Sequence, residues 1–314
     1  MIAERFMAHR MVLLENKRYL YEAYEGQSTR IVDWQLRHFN ELWQKVAVRN
    51  PFYEYWKAKH KLPDALKSLE EFELFPRLKK EDIQEHHDLI FKDLEDYYVV
   101  STGGSTGQPM KFPTSKAEKD VEYANTYLGK AWSGIVPLDP IVMYWGHSHL
   151  FGTGVRGRLN HLKRKLLDWL INTKRFDAYD MNLSTMGKYC EALRGENPRA
   201  IIGYTSLLFK LCKYAEENNM DLGDKSRLRG VVLTSESVSD RDIEMVERVF
   251  GAPALLEYGM AECGVIAYSK DEARDLRIFW DSFICVNQGS GPMCLTTLYE
   301  RKFPLIHYDT SDKL

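Results

Sequence analysis

Three short apolar runs, at residues 200–204 (Ala-Ile-Ile-Gly-Tyr), 230–233 (Gly-Val-Val-Leu) and 254–258 (Ala-Leu-Leu-Glu-Tyr), are separated by stretches each long enough for one amphipathic helix. Apolar runs of this length suit strands buried on both faces, and intervening helices impose right-handed crossovers. The pattern predicts an α/β fold built on a mainly parallel sheet layered with helices. A fourth run, 140–146, reads as another buried strand. Ligands of such sheets sit beyond the carboxyl ends of the strands. The loops Thr205-Ser206, Ser235-Glu236-Ser237 and Gly259-Met260-Ala261-Glu262 are therefore expected along one rim.

Residues 101–111 read Ser-Thr-Gly-Gly-Ser-Thr-Gly-Gln-Pro-Met-Lys and follow the β-like Tyr97-Tyr98-Val99-Val100. Glycines let successive backbone N–H groups converge on an anion, and the Ser and Thr hydroxyls add donors, so the composition suits a phosphate-holding loop. A Walker A loop needs Gly-Lys-Ser/Thr opening a helix. Here Gly107 is followed by Gln108-Pro109, and Phe112-Pro113 disfavours an immediate helix. The bland alternative is a plain turn.

The 314 residues, 44% apolar and 12% aromatic, suffice for one large or two ordinary domains with a substantial core. With 43 basic against 45 acidic side chains, no global field favours nucleic acid, and none is expected as a partner. Cys190, Cys212, Cys263, Cys285 and Cys294 are odd in number and form no CxxC pair, which argues against a disulfide framework and a zinc ribbon and for a reducing, cytoplasmic home. Met1-Ile2-Ala3-Glu4-Arg5 lacks the apolar core of a signal peptide, and no run reaches membrane-spanning length, so no integral membrane contact is expected. A homodimer stays open.

Residues 3–26 read as a helix, and helical spacing continues through Ile31, Trp34, His38 and Leu42 after Ser28-Thr29 as a cap. Ser68 and Glu71 stand at capping-box spacing. Helices are expected at 115–133 and 155–173. The latter carries Arg156, Arg158, Lys163, Arg164 and Lys165 on one side and Leu159, Leu162, Leu166 and Leu170 on the other. A basic amphipathic helix can lie on anionic lipid, but an ordinary packed leucine face with solvated lysines is the expectation. His147 and His149 have no third ligand at metal spacing. From 277 onward, β-like runs at 277–280, 282–287 and 293–299 predict a small antiparallel sheet or distorted barrel.

Gly104-Ser105-Thr106-Gly107-Gln108-Pro109 resembles the phosphate-binding loop of the adenylate-forming superfamily of acyl-CoA synthetases, nonribosomal adenylation domains and luciferases. The branch it most resembles is the phenylacetate-CoA ligase family, with its relatives in capsular polysaccharide gene clusters. Tyr258-Gly259-Met260-Ala261-Glu262 is similar to Tyr-Gly-x-Thr/Ser-Glu apart from Ala261, Ser235-Glu236-Ser237 looks like Gly-x-Glu-Pro, and Tyr308-Asp309-Thr310-Ser311-Asp312 resembles Tyr-Arg-Thr-x-Asp. The likeness covers nearly the whole chain. It implies a large N-terminal domain, residues 1–314, with a helical lead-in (1–96), an ATP-binding α/β core (97–275) and a β-rich subdomain (276–314) ending at the ribose motif.

The activity so implied is ATP-dependent conversion of a small-molecule carboxylic acid to an acyl adenylate, then transfer to coenzyme A or another acceptor. Thr106 and Glu262 would be catalytic, with Glu262 holding Mg²⁺. Gly104, Ser105, Thr106, Gly107, Ser235, Glu236, Tyr258, Gly259 and Asp312 would bind ATP or AMP, Tyr258 on the adenine and Asp312 on the ribose. His149, Phe151, Tyr204 and Met260 would line the acyl pocket. Arg277 stands where some relatives have a zinc-binding histidine, so no zinc is expected. Met110 replaces a lysine of many superfamily members, Asp309 an arginine, and Ala261 a hydroxyl. The C-terminal lid domain that relatives carry after the ribose aspartate is expected to be absent, which would impair adenylation. The alternative is a noncatalytic nucleotide- or acyl-binding module derived from such a ligase.

Overall fold

The computed structural model describes residues 2–101, 109–146, 154–179, 182–220, 222, 226–270, 274–287 and 291–312. The chain opens with helices α1 (Ile2–Ala23), α2 (Ser28–Arg49) and α3 (Pro51–His60), a 3₁₀ turn at Leu69–Leu74, and the short α4 (Lys80–Glu85) and α5 (His87–Phe91). Strands β1 (Tyr98–Ser101) and β2 (Lys111–Thr114) precede α6 (Lys116–Trp132), β3 (Ile141–Tyr144), α7 (Gly154–Leu170), β4 (Thr173–Phe176) and α8 (Leu183–Glu196). Then come β5 (Ala200–Tyr204), α9 (Thr205–Glu217), β6 (Gly230–Thr234), α10 (Asp240–Phe250) and β7 (Ala254–Met260). The last strands are β8 (Gly264–Ser269), β9 (Leu276–Ile278), β10 (Phe283–Asn287), β11 (Met293–Thr297) and β12 (Tyr308–Asp309).

Two compact units result, each assembled from several segments: residues 1–14, 126–259 and 267–277 form the first, and 15–125, 260–266 and 278–314 the second. The first is built on a seven-stranded sheet of order β4-β3-β5-β6-β7-β8-β9, in which β4, β3, β5, β6 and β7 run parallel, the last four as their apolar runs predict. Leu207, Leu208, Leu211 and Cys212 of α9 and Ile243, Val246 and Phe250 of α10 share one core with Val231 and Leu233 of β6. The i, i+3, i+7 spacing on α10 puts all three apolar side chains on the sheet side, each contributing roughly 2 kcal/mol of burial.

The structure departs from the expected pattern at three places in this unit. α7 stops at Leu170, and Asn172, at φ +55°, turns the chain into the edge strand β4. An edge strand has one neighbour, so its Thr-Lys-Arg-Phe sequence needs no apolar run. The leucine face of α7 is not packed: Leu159, Leu162 and Leu166 are 52%, 65% and 56% exposed, with Trp169 at 74%. The run expected to open the antiparallel sheet after 277 instead gives β9 of the large sheet.

In the second unit, Phe39, Trp43, Phe52, Tyr53, Phe72, Phe75 and Phe303 form a buried aromatic core. The Tyr53 hydroxyl donates to the Pro304 carbonyl at 2.5 Å, satisfying its polar end. β10, β11 and β12 make the small antiparallel sheet foreseen for the carboxyl-terminal part, and β1 pairs antiparallel with β2. Among the described residues no helix is long and apolar enough to cross a membrane.

Caps separate true helix starts from sequence look-alikes. Ser239 accepts from the Asp242 N–H at 3.3 Å while Asp242 accepts from the Ser239 N–H at 3.0 Å, a complete capping box. Ser68 makes no such bond: its hydroxyl serves Glu70, and Glu71 accepts the Lys67 N–H at 2.7 Å. The cap of α2 is Gln27, not Ser28, and its side chain does not bond the helix end. Ser239→Ala should therefore cost about 1 kcal/mol in urea unfolding, and Ser68→Ala should leave the midpoint within error.

Candidate functional site

The register of the first unit sets Tyr204 opposite Thr234 and Thr234 opposite Glu257, so β5 and β6 end level while β7 runs on to Met260. Two of the predicted loops, Thr205-Ser206 and Ser235-Glu236-Ser237, leave from this line, whereas Gly259 and Met260 still belong to β7. The Glu236 carboxylate grips the start of α9, accepting the Ser206 N–H at 2.6 Å and the Ser206 hydroxyl at 2.9 Å. A carboxylate at a helix N-terminus meets orphan N–H groups and the positive end of the dipole. The pair also locks the β5 and β6 loops together. Ser235, next to it, sits at φ +67°, a left-handed conformation that a non-glycine residue keeps only when its surroundings enforce it. Tyr258 is half-buried and Gly259 exposed at the end of β7.

Behind this rim lies a buried charge pairing. Burial lowers the Lys130 amine from its ordinary range while Glu257 pulls the other way; burial raises the Glu257 carboxyl while Lys130 and the Thr234 hydroxyl oppose it. Both groups are thus pushed toward neutrality, with the Tyr268 hydroxyl buried nearby in the charge field of Glu257 and lacking a hydrogen-bond partner. At the ends of β3 and β5, Tyr204 packs on Trp145 with ring centroids 5.0 Å apart and bonds to Tyr179. Burial, then Tyr179, raises the Tyr204 hydroxyl. The Tyr179 ring covers Gly146 so closely that a Cβ there would lie 2.2 Å from it. Trp145 and Tyr179 were not among the residues predicted from sequence. Trp145 could have been found as the aromatic ending the 140–146 run; Tyr179 has no local signal.

The second unit carries the remaining described candidates. Glu262 lies half-buried in the turn between β7 and β8, and its backbone carbonyl accepts from Arg301 Nη2 at 2.6 Å. Its Oε1 accepts from the Tyr308 hydroxyl at 3.4 Å, and the next carbonyl, of Cys263, accepts from the Tyr299 hydroxyl at 3.4 Å. Arg301 is itself buried against Glu118, Nε to Oε2 3.4 Å, with side-chain exposures of 1% and 0%. Glu118 also accepts the Lys302 N–H and the Thr114 hydroxyl. Gly264 closes the turn at φ +74°, where a Cβ would come within 2.8 Å of Glu122. Burial raises the Glu262 carboxyl, opposed by its own backbone N–H, Tyr308, Lys80 and Arg301. Met260 is half-buried and Ala261 exposed in this turn.

Asp312 is exposed beyond β12, its backbone held by Met293 N–H to Asp312 O at 2.9 Å and Asp312 N–H to Thr310 Oγ1 at 3.2 Å. Asp309, which replaces the arginine of the motif, pairs with Arg77 at 3.5 Å and accepts the Ser311 N–H at 2.9 Å, so its charge is locally balanced. Ser311 is again left-handed, at φ +62°. Met110 is buried. Gly104, Ser105, Thr106, Gly107, His149 and Phe151 lie outside the described residues. Among the described residues no group of three or more His, Cys, Asp or Glu side chains could hold a metal ion.

Removing one partner of a buried ion pair leaves the other uncompensated. Glu118→Gln should cost about 3 kcal/mol in chemical denaturation. A second expectation concerns His307, buried with Nδ1 donating to the Phe75 carbonyl at 2.7 Å and Nε2 without a partner. Burial lowers its pKa below the unfolded value, so the unfolded chain takes up the proton first. This stabilisation is whole above about pH 6.5 and fades as pH falls through that value toward the folded pKa. His307→Asn should flatten the slope of melting temperature against pH between roughly pH 7 and 5.

No protein-family model matches the chain. It is 21% identical over 292 residues to protein CapK of Staphylococcus aureus, covering 90% of this chain and 63% of that protein. A structure of 2-hydroxyisobutyryl-CoA ligase in complex with 2-HIB-AMP and CoA, in the thioesterification state, superposes with a TM-score of 0.70 at 20% identity. That match covers 90% of this chain and 62% of the ligase chain. An open conformation of the same ligase with the same two molecules gives 0.65 at 19% identity, over 87% of this chain and 67% of that one. The chain thus spans less than two thirds of the length of CapK and of the first of these ligase structures. Its architecture, a mainly parallel sheet layered with helices plus small antiparallel sheets, is the fold that it shares with that ligase over 90% of this chain.

Proposed function

We propose that this chain forms the nucleotide- and acid-binding part of an AMP-forming ligase of the phenylacetate-CoA ligase type. A carboxylate oxygen of the substrate attacks the α-phosphorus of ATP, the bond to the bridging oxygen breaks, and pyrophosphate leaves with the electron pair. The acid is already ionised at neutral pH, so no general base is needed. What remains is to hold two anions together and stabilise charge on the phosphorus oxygens. In this reading Gly104, Ser105, Thr106 and Gly107 supply amides and hydroxyls to the phosphates, Tyr258 and Gly259 meet the adenine, and the Asp312 carboxylate accepts from the ribose hydroxyls. The carboxylate of Glu236 is occupied by Ser206, so Ser235 and Glu236 meet the nucleotide through the backbone they fix. Tyr204, with Trp145 and Tyr179, bounds the organic group of the acid, and Met260, His149 and Phe151 are assigned to the same substrate.

The observation that carries the reading is the treatment of Glu262: a single carboxylate kept half-buried, with its backbone clamped by Arg301 and one oxygen bonded by Tyr308. One carboxylate fits Mg²⁺ that arrives with a nucleotide, because this ion keeps its waters and takes phosphate oxygens for most of its shell. Glu262 would hold it, and the ion would supply positive charge to the phosphate oxygens. The acyl group then passes to the thiol of coenzyme A or to another acceptor; an acceptor in polysaccharide assembly is what the capsular branch of the resemblance adds. A second reading, a nucleotide- or acyl-binding module without turnover, is favoured by Ala261, whose exposed methyl offers no hydroxyl to the α-phosphate.

Acid-dependent exchange of pyrophosphate into ATP, and hydroxamate trapping over a panel of acids with the natural full-length protein, test the proposal. Glu262→Gln should lower exchange on the order of a hundredfold. Because burial raises the Glu262 carboxyl, protons compete with Mg²⁺, and metal-dependent ATP binding should weaken as pH falls. Tyr308→Phe, which removes a bond that lowers that pKa, should move the midpoint upward. Calorimetric ATP binding without exchange for any acid selects the second reading; phosphate release that needs no acid overturns both.

A further inference from the structure

Helix α7 is mounted the wrong way round for a helix on a sheet. Its only acid, Asp168, is buried on the protein side, paired with Arg164 Nε at 3.1 Å and Arg175 Nε at 3.2 Å. The opposite face carries Leu159, Leu162 and Leu166, spaced i, i+3 and i+7, and Trp169 stands at its edge, beside the cavity that Asp168 also lines; all four are more than half exposed. Surface helices normally turn the apolar stripe inward and the charges outward. Here the pair of Asp168 with Arg175 ties the helix to β4, and the hydrophobic stripe is left exposed.

The stripe is bordered by cations on both sides. Lys163 stands four residues after Leu159 and three before Leu166; Lys165 stands three after Leu162 and four before Trp169; Arg158 stands four before Leu162. Residues at those spacings are surface neighbours. Arg158, His161, Lys163 and Lys165 are all exposed, and within Gly154–Leu170 no exposed acid opposes them. A leucine row ended by tryptophan and flanked by lysines that can extend their amines outward is the arrangement of a helix lying in the plane of a membrane interface. Lysine is depleted at protein–protein interfaces, so the lysines beside the stripe favour lipid over a protein partner.

We propose that α7 docks this protein on an anionic phospholipid surface, with Leu159, Leu162, Leu166 and Trp169 entering the acyl boundary and Arg158, Lys163 and Lys165 meeting lipid phosphates. The reading stands apart from the proposed ligase activity, since none of these residues has a role in it. It also accords with a chain that has no global positive charge: the attraction is local, set by one helix.

Co-sedimentation of the purified protein with vesicles of phosphatidylglycerol and phosphatidylcholine, against phosphatidylcholine alone, tests it. The expected result is binding to the anionic vesicles only, reduced at high salt, and weakened on the order of tenfold by Lys163→Glu with Lys165→Glu. The triple change Leu162→Ser, Leu166→Ser, Trp169→Ser should weaken it at least as much. All five positions are exposed, so melting temperature and circular dichroism should be unchanged and serve as the folding control. Binding to neither vesicle, equal binding to both, or self-association that the triple change abolishes without any vesicle binding would each overturn the proposal, the last in favour of a second copy of the chain.

Discussion

The buried guanidinium of Arg301 is the constraint on which the candidate metal turn depends. A permanent cation with 1% side-chain exposure must have its charge met and its donors directed. Glu118 meets the charge, and the Nη groups reach the Tyr299 hydroxyl at 2.9 Å and the Glu262 carbonyl at 2.6 Å. Such a pair is poor evidence for net stability, because desolvation consumes much of the attraction. Its effect is geometric. It fixes the backbone of one turn, and Gly264 lets that turn close against Glu122. The Glu262 carboxylate is then held in one place and partly shielded; under the proposed ligase activity, this is the preorganisation that electrostatic catalysis requires.

The same economy recurs in the other loops. Ser235 and Ser311 both occupy left-handed backbone conformations, each beside a carboxylate that organises its surroundings: Glu236 gripping the start of α9, and Asp309 accepting the Ser311 amide while paired with Arg77. The departure from the motif at Asp309 looks, in sequence, like a negative charge added beside a ribose site. In the fold it is half of an ion pair with Arg77. Buried Lys130 and half-buried Glu257 repeat the theme behind the rim, although there burial outweighs attraction in both partners.

The exposed leucines of α7 run against the packed face that its sequence predicts. Its 3.6-residue periodicity is genuine, and the helix forms; periodicity gives the stripe but not its direction. Direction follows from which face meets the stronger partner. Asp168 finds two arginines, one of them on β4, a strand with no apolar run to announce it. The capping pair at Ser68 and Glu71 failed for a similar reason: spacing permits the box, but Glu70 and the Lys67 amide are nearer at hand.

What the sequence determined alone was everything carried by local repetition and local stereochemistry. The parallel strands β5, β6 and β7 follow from apolar runs separated by helix-length segments, and the kinship of fold from short motifs that keep their order along the chain. What tertiary structure alone decided were the pairings between residues far apart: Arg301 with Glu118, Arg77 with Asp309, Tyr179 over Gly146, and the outward turn of the α7 leucines. The reason is physical. Strand and helix periods are properties of the backbone and can be written in a dozen residues, whereas the partner of a buried charge or ring is chosen by desolvation among all the groups the fold brings within reach.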